Sequence, residues 1–334
     1  MRKIIIYILG FVLLCFAIPV IFSKKMPKKT ETPVNTSNTT NEIIAMETEP
    51  YQYKNYGEVR LLHFDTGVVE TLSMEQYLYG VVSAEMPASY EVEALKAQAI
   101  VARTYTAYKM LKGSKHENAD ICDKATCCQA WISKDDRLAK WNEVDRETNW
   151  SKIANAVDST AGKIIIYNGE PINAFFHSNS GGSTETVSNV WGGSDYPYLQ
   201  SVETSGEDGY TQYASTVTLT KEEVLQKIHE SYPEATIDFN VQNAIQILEY
   251  TDSGRVRTIQ FGSIQISGVE ARTIFGLKSA KFSVEVSENI TFNVTGYGHG
   301  VGMSQTGADA MAKVGSTYEQ IINHYYTDIK IENM

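Results

Sequence analysis

The chain has 334 residues, of which 43% are hydrophobic and 21% charged, and it carries a formal net charge of −11. This composition is typical of a globular protein and excludes wholesale disorder and a collagen-like repeat. Residues 1–29 contain six basic residues and no acidic one, so the remaining chain has 23 basic and 40 acidic residues, a net charge of −17. A protein binds nucleic acid by neutralising phosphates with basic side chains, and a region this acidic is poorly suited to that. We therefore expect no nucleic-acid partner.

The N-terminus contains a candidate membrane anchor. Residues 4–22 are 19 uncharged positions, enough to span the hydrocarbon core of a bilayer. A cleaved signal peptide is the alternative, but it has a shorter apolar stretch and small residues before its cleavage site. We therefore predict a cytoplasmic tip over residues 1–3 and an uncleaved transmembrane helix over 4–22. Four lysines follow the span, so the positive-inside rule alone would place the rest of the chain in the cytoplasm.

A linker and a folded domain are predicted after the anchor. Residues 23–55 are rich in Thr and Asn and lack periodic apolar positions, so we expect a flexible linker. Strand and helix signals then alternate over residues 56–334. This pattern predicts an α+β domain of helices and antiparallel sheets that form a cleft.

Four sequence signals place the first elements of this domain. EVRLLHF, a DTG turn and VVETL predict a hairpin, and Asn168-Gly169 predicts another through a type I′ turn. Helical spacing predicts helices over Met74–Glu85, where Pro87 ends the helix, and over residues 91–111. A further helix is expected through DDRLAKWNEV, residues 135–144, with Ser133 as its cap, and another, beyond a glycine-rich loop, from about Met303.

Glu85 is the first candidate for chemistry. It follows the apolar residues Val81, Val82 and Ala84 and lies at the predicted C-terminal end of a helix. Apolar burial and the negative end of a helix both disfavour an ionised carboxylate. A carboxyl group that stays protonated near neutral pH can act as a general acid. The alternative is a solvated residue at a helix end, because glutamate is seldom buried.

A cationic helix face follows in the next predicted helix. Lys96 and Arg103 are seven residues apart and share a face with Ala99 and Ile100 between them. Such a face could line a cleft and bind carboxylate or amide groups, whereas the alternative is a solvated surface.

Three cysteines and a histidine lie within 13 residues. His116, Cys122, Cys127 and Cys128 are a candidate Cys3His tetrahedral zinc site, with Asp120 and Asp123 as spare oxygen ligands. Adjacent ligands at 127 and 128 are sterically awkward, so one of them could be a spectator. A disulfide is the alternative, although a bond between neighbouring residues is strained and one from Cys122 to Cys127 or Cys128 closes only a small loop. No HExxH motif accompanies the cluster, which favours a structural role.

Two further segments carry polar side chains beside aromatic residues or glycines. In AFFHSNSGGSTETV, His177 with Ser178 or Ser180 could suggest nucleophilic hydrolysis, but neither serine lies in a GxSxG elbow, and we favour sugar binding. GYGHGVGMSQTGADAM matches neither a dinucleotide-binding loop nor a P-loop. Its glycines would allow close backbone approach, and its polar candidates are His299, Ser304 and Gln305.

Together these blocks resemble a known family. AEMPASYEVEALKAQAIVARTY, ICDKATCCQAW, FFHSNSGGSTE, YPYL and GHGVGMSQTGA are similar, in this order, to the signature blocks of the stage II sporulation protein D family and its related amidase enhancers. The resemblance covers residues from about 56 to 334. It implies a peptidoglycan lytic transglycosylase that cuts denuded glycan strands between N-acetylmuramic acid and N-acetylglucosamine during forespore engulfment.

The resemblance also implies roles for particular residues. The catalytic glutamate of the family maps onto Glu85, its important basic positions onto Lys96 and Arg103, and a tyrosine onto Tyr198. Some members contain zinc, but their motif usually has a histidine before the last cysteine, where this chain has Cys127. Whether Cys127 or a water molecule is the fourth ligand therefore stays open.

The implied partners and location follow from the same resemblance. The partners are peptidoglycan strands, a sporulation amidase (stage II sporulation protein P) and a membrane scaffold protein. Peptidoglycan lies outside the membrane, so the anchored domain would face outward from the mother-cell membrane, against the charge bias. Two alternatives remain: a non-catalytic, wall-binding amidase enhancer, and a zinc hydrolase that uses the cysteine cluster.

Overall fold

The computed structural model describes residues 57–333. The predicted cytoplasmic tip (1–3), transmembrane helix (4–22) and linker (23–55) lie outside these residues. Among the helices of residues 57–333, none combines the length and the apolar character that a bilayer crossing requires. The described chain is a mixed α+β fold with mostly antiparallel sheets, which confirms the predicted fold class.

The helices of the described residues are mostly short. They are α1 (Met74–Glu85), α2 (Val92–Lys112), α3 (Lys134–Lys140), α4 (Arg146–Asp158), α5 (Val187–Trp191), α6 (Lys221–Ser231), α7 (Gly268–Phe275), α8 (Gln305–Lys313) and α9 (Tyr318–Tyr325), with a 3-10 turn at Glu143–Asp145 between α3 and α4.

The strands form small sheets. They are β1 (Glu58–His63), β2 (Val68–Ser73), β3 (Ile121–Cys122), β4 (Lys163–Tyr167), β5 (Glu170–Pro171), β6 (Phe176–His177), β7 (Ala214–Leu219), β8 (Ile245–Tyr250), β9 (Val256–Phe261), β10 (Ile264–Ser267), β11 (Phe282–Val286), β12 (Ile290–Thr295), β13 (Met303–Ser304) and β14 (Lys330–Asn333). The sheet orders are β2-β1-β3, β14-β4-β5, β13-β6, β10-β9-β8 and β11-β12-β7. Only the β1–β3 and β6–β13 pairs of these sheets are parallel.

The described residues bury two hydrophobic cores. The larger core surrounds α2, which packs against α1, α4, α8, α9 and β4. Because α2 is covered on nearly every side, even Arg103 in its middle has an exposed fraction of 0%. The smaller core lies among β7–β12, α6 and α7. Glu85 belongs to the larger-core side of the fold, at the end of α1.

Several predicted boundaries are confirmed, and two are wrong. The β1–β2 hairpin and α1 form as expected, and α1 starts with a capping box between Ser73 and Gln76. Asn168 and Gly169 both have positive φ, 51° and 82°, as a type I′ turn requires. The helix after Ser133 ends at Lys140, earlier than predicted. Helix α8 begins at Gln305 rather than Met303, because the two preceding residues pair with β6 instead.

Candidate active site

Glu85 is the last residue of α1 and lies in the wall of a cleft. The chain leaves helical geometry at Met86, whose φ and ψ are −124° and 140°, because Pro87 follows it. The cleft has a volume of about 580 Å³. Its lining consists of residues 84–89, Arg137, Trp141, Asp145, Asn149 and Gln212.

The carboxyl group of Glu85 is desolvated and receives two hydrogen bonds. The backbone N–H of Ala130 donates to Oε1 at 2.7 Å, and Nε2 of Gln305 donates to Oε2 at 3.2 Å. Burial raises the pKa of Glu85, and the two donors oppose this rise because they favour the ionised form. The shift has the direction that a general acid requires.

The segment CCQAW, residues 127–131, fixes the donor on the Oε1 side of Glu85. Gln129 is buried and donates to the hydroxyl oxygens of Tyr77 and Thr106. The indole of Trp131 covers Gly80 of α1, where an added Cβ would lie 2.1 Å from Nε1. These contacts hold the segment along α1 and so place the N–H of Ala130 against the carboxyl group.

The same segment contributes to a cluster of metal-ligating side chains. One ligand atom from each of His116, Cys122, Cys127 and Cys128 lies within 4.8 Å of the others. Nε2 of His116 is 3.6 Å from the sulfurs of Cys127 and Cys128, which are 3.9 Å from each other. Both adjacent cysteines therefore reach the cluster, and the four groups could hold one metal ion.

The glycine-rich loop before α8 positions the side chain of Gln305 next to the carboxyl group of Glu85. At Gly302, which has a φ of 71°, an added Cβ would lie 1.9 Å from the carbonyl oxygen of Phe175. This close approach lets β13 pair with β6, and α8 starts immediately afterwards with Ser304 as its N-cap. The structure thus brings Gln305 to Glu85, while a role in substrate binding stays a prediction.

Lys96 and Arg103 do not line the cleft beside Glu85. Nζ of Lys96 is 2.7 Å from Oε1 of Glu93. The guanidinium of Arg103 donates to the backbone carbonyls of Val157 and Lys163, at 3.3 Å in each case. Lys96 and Arg103 share a face of α2 by helical spacing, as predicted. Neighbouring elements cover α2 there, so this face does not line the cleft. In this conformation Arg103 joins α2 to α4 and β4, and glycan contacts of the two residues stay predictions.

Ser180 and Ser304 converge on a buried carboxylate that the sequence did not single out. Glu207 is 1% exposed. Its two oxygens accept hydrogen bonds from the hydroxyl groups of Ser180, Ser304 and Thr306 and from the backbone N–H groups of Ser180 and Gly182. Ser178 contributes its carbonyl oxygen, which accepts from the N–H of Thr306. This network joins the FFHSNSGGSTE segment to the start of α8.

His177 and His299 lie together with their ring centroids 5.7 Å apart. Burial lowers the pKa of His177 to about 3 and that of His299 well below its usual value, so both rings are neutral near neutral pH. His177 contacts the carbonyl oxygen of Val301 through Nδ1. The hydroxyl of Ser180 donates to Glu207 rather than to His177, so Ser180 is not a histidine-activated nucleophile.

Tyr198 is buried among tyrosines, away from the lining of the cleft. Its hydroxyl oxygen accepts a hydrogen bond from the N–H of Asn173 at 3.0 Å, and its ring stacks on Tyr196 with centroids 5.3 Å apart. Burial raises the pKa of Tyr198 to about 12. Its predicted contact with substrate remains a prediction.

The cleft also contains residues that sequence reasoning missed. Arg137 and Trp141 come from the helix predicted after Ser133, and Asp145 and Asn149 follow it. No motif marks them, because they are ordinary polar and aromatic residues at helical spacing. The one available signal was their position after CCQAW, the segment that contacts Glu85.

Comparison with known proteins gives matches to one family model and to several relatives that cover most of the chain. A family model described as "Stage II sporulation protein" matches residues 63–167. Stage II sporulation protein D of Bacillus subtilis (strain 168) is 37% identical over 267 residues, covering 79% of this chain and 75% of that protein. An uncharacterized protein of Brachyspira hyodysenteriae is 30% identical over 282 residues, covering 83% and 72%. The amidase enhancer of Bacillus subtilis is 29% identical over 301 residues, covering 75% of this chain and 39% of that protein.

Proposed function

Because the chain belongs to the stage II sporulation protein D family, for which a role related to the cell wall is expected, we propose that it is a lytic transglycosylase of peptidoglycan. Its substrate would be denuded glycan strands, cut between N-acetylmuramic acid and N-acetylglucosamine during forespore engulfment. The observation that carries this proposal is Glu85, a desolvated carboxyl group with a raised pKa in the wall of an open cleft.

One carboxyl group is enough for this chemistry. The protonated Glu85 donates its proton to the glycosidic oxygen as the bond to C1 of N-acetylmuramic acid breaks. The 6-hydroxyl of the same sugar then attacks C1, and the ionised Glu85 accepts the hydroxyl proton. The product is a 1,6-anhydro sugar, no water is consumed, and Glu85 returns to its protonated form.

Gln305 favours the ionised state of Glu85, because its Nε2 donates to Oε2. The N–H of Ala130 donates to Oε1 and favours the same state. Both donors would therefore help Glu85 to release its proton to the glycosidic oxygen.

Zinc is the metal that we propose for the cluster of His116, Cys122, Cys127 and Cys128. A tetrahedral zinc with bonds of about 2.3 Å to sulfur and about 2.0–2.1 Å to nitrogen separates its ligand atoms by about 3.5–3.8 Å. The distances of 3.6 and 3.9 Å among His116, Cys127 and Cys128 fit this geometry. All four ligand atoms lie within 4.8 Å of one another, so a small contraction of the cluster would complete the tetrahedron. When bound, the ion would supply a structural cross-link. These side chains would then fix residues 127–131 and the donor at Ala130.

The same proposal includes a location and partners. Residues 4–22 would anchor the chain in the mother-cell membrane, with the catalytic domain on the outer face towards the septal peptidoglycan. A sporulation amidase, stage II sporulation protein P, would remove the stem peptides first, and a membrane scaffold protein would hold both. Protease added to intact protoplasts should digest the domain, and full protection would contradict this topology.

The product of the reaction tests the proposed activity. Denuded strands incubated with purified protein should yield fragments that end in 1,6-anhydro-N-acetylmuramic acid, one water lighter than a reducing end by mass spectrometry. Glu85→Gln should fold but form none, because an amide can neither donate nor accept this proton. Asp145→Asn is the matched control, since it neutralises another acid of the cleft. Anhydro product from Glu85→Gln would refute the assignment.

A non-catalytic enhancer is the second candidate function. The match to an amidase enhancer favours it, although this chain spans only 39% of that protein. An enhancer would bind strands and stimulate the amidase without cutting glycan itself. Wild-type protein that binds denuded strands but releases no anhydro fragment would establish this alternative.

A further inference from the structure

The cleft beside Glu85 contains a positive charge with which no acidic side chain of residues 57–333 forms an ion pair. Arg137 lines the cleft from α3. None of the ion pairs found within residues 57–333 includes it. Asp145 lines the same cleft but forms no ion pair with it. The guanidinium therefore remains available for an anionic group brought in by a ligand.

The guanidinium is held in place by contacts on two sides. Nη2 donates to the carbonyl oxygen of Ser83 near the C-terminal end of α1, which has no basic residue of its own in its last turn. Cζ lies 5.1 Å from the centroid of the Trp141 ring. Nε is buried, and no group in the described part of the chain accepts a hydrogen bond from it. An arginine fixed in this way loses little side-chain entropy when it binds.

The chemistry of this arrangement favours a carboxylate on a sugar. A planar guanidinium matches a carboxylate through paired hydrogen bonds, and desolvation strengthens such bonds. The neighbouring Trp141 lines the same cleft and adds aromatic surface of the kind that sugars contact beside a charged group. Arg137 and Trp141 together could thus bind an acidic sugar next to the group that protonates the glycosidic oxygen.

Denuded and peptide-bearing strands differ at one group of each muramic acid. The lactyl group ends in a free carboxylate once an amidase has removed the stem peptide, and in a neutral amide before that. Resting on the proposed function, we propose that Arg137 binds this lactyl carboxylate and so selects strands that an amidase has already processed. The enzyme would then act after the amidase, because only removal of the stem peptide creates the negative charge that Arg137 binds.

The expected preference can be stated as a ratio of affinities. Hydrogen bonds to charged groups contribute enough to discriminate about 10- to 100-fold between a carboxylate and an amide. Arg137→Gln should abolish this ratio, mainly through weaker binding of the acid. Arg137→Lys should retain part of it, because lysine keeps the charge but loses the paired geometry.

The test measures binding without cleavage. Glu85→Gln protein is titrated calorimetrically with a tetrasaccharide of alternating N-acetylglucosamine and N-acetylmuramic acid, and with the same compound after conversion of its carboxyl groups to methylamides. The Glu85→Gln protein without further substitution, called the background protein, should bind the acid form about 10- to 100-fold more tightly than the methylamide form. The Arg137 and Lys140 substitutions are added to this background. Lys140→Gln is the matched control, since it removes a positive charge from the exposed end of α3, outside the cleft lining. It should leave the ratio unchanged.

Three results would overturn the proposal: equal binding of both forms by the background protein, no binding of the acid form, or an unchanged ratio in Arg137→Gln. If Arg137→Gln unfolds because Ser83 loses its donor, Arg137→Lys decides, and an undiminished ratio there also refutes the paired carboxylate contact. Acid-selective binding by a protein whose wild type forms no anhydro product would reject the proposed activity while the role of Arg137 stands.

Discussion

The hydrogen bond from Gln305 to Glu85 allows the acid–base assignment to be tested quantitatively. Gln305→Leu removes the donor at Oε2 but keeps a side chain of similar size in a buried position. A hydrogen bond to a charged group contributes about 1.5–3 kcal/mol. One pKa unit corresponds to about 1.4 kcal/mol. The substitution should therefore raise the pKa of Glu85 further, by about 1–2 units.

The direction of the effect on activity follows from the role of Glu85. The group must be protonated when it attacks the glycosidic bond, so the rate falls as the pH rises through its pKa. Burial already raises this pKa, and Gln305 and Ala130 lower it by favouring the ionised form. Loss of Gln305 should therefore move the basic limb of the pH–rate profile to higher pH by the same 1–2 units estimated from the hydrogen bond.

The assay is the initial rate of 1,6-anhydro product formation, measured from acidic to basic pH. Gln212→Leu is the matched control, because Gln212 lines the same cleft but its side chain accepts a hydrogen bond from Thr211, whereas the donors to Glu85 are Ala130 and Gln305. It should leave the position of the limb unchanged, whatever it does to the rate. A limb that stays in place in Gln305→Leu, or moves to lower pH, would refute the reasoning, since the limb would then not report this hydrogen bond.

Three other predictions concern stability. Cys122→Ser should lower the bound metal below about 0.2 ions per chain and reduce the melting temperature. Chelation of the wild type should have the same two effects. Equal melting temperatures with and without metal would contradict a structural site. Glu207→Gln should lower the free energy of unfolding, measured in denaturant, by about 3 kcal/mol, because several buried donors lose a charged acceptor. The control Glu203→Gln, at an exposed position, should change it by less than about 0.5 kcal/mol. Gly80→Ala should cost about 1–3 kcal/mol by overpacking against Trp131, whereas Gly209→Ala, with open space around it, should not.

The sequence predicted the end of α1 well because the determining interactions are local. Pro87 restricts the residue before it, and the apolar run Val81–Val82 indicates burial, so both the position of Glu85 and the direction of its pKa shift could be foreseen. The metal-ligating cluster could also be predicted, because its four ligand side chains lie within 13 residues and one ion could bind them all.

The environment of α2 could not be predicted in the same way. Helical spacing shows that Lys96 and Arg103 share a face, but it does not show which elements cover that face. Burial of Arg103 depends on α4 and β4, which follow it by about 50–60 residues along the chain. Similarly, the serines of FFHSNSGGSTE have the composition of a sugar site, and their actual acceptor is Glu207 in an irregular segment.

The two hydrogen bonds to Glu85 come from segments that are fixed independently. Ala130 is held by its neighbours in residues 127–131, which include two candidate metal ligands. Gln305 is held by the N-cap of α8, where the hydroxyl of Ser304 bonds to Glu207. Burial alone would make Glu85 a weaker acid that donates its proton less readily, and the two donors oppose this effect because they favour the ionised form. Substitutions at Glu207 or Cys128 should therefore change the acidity of Glu85 without touching it, because each displaces one of the two donors.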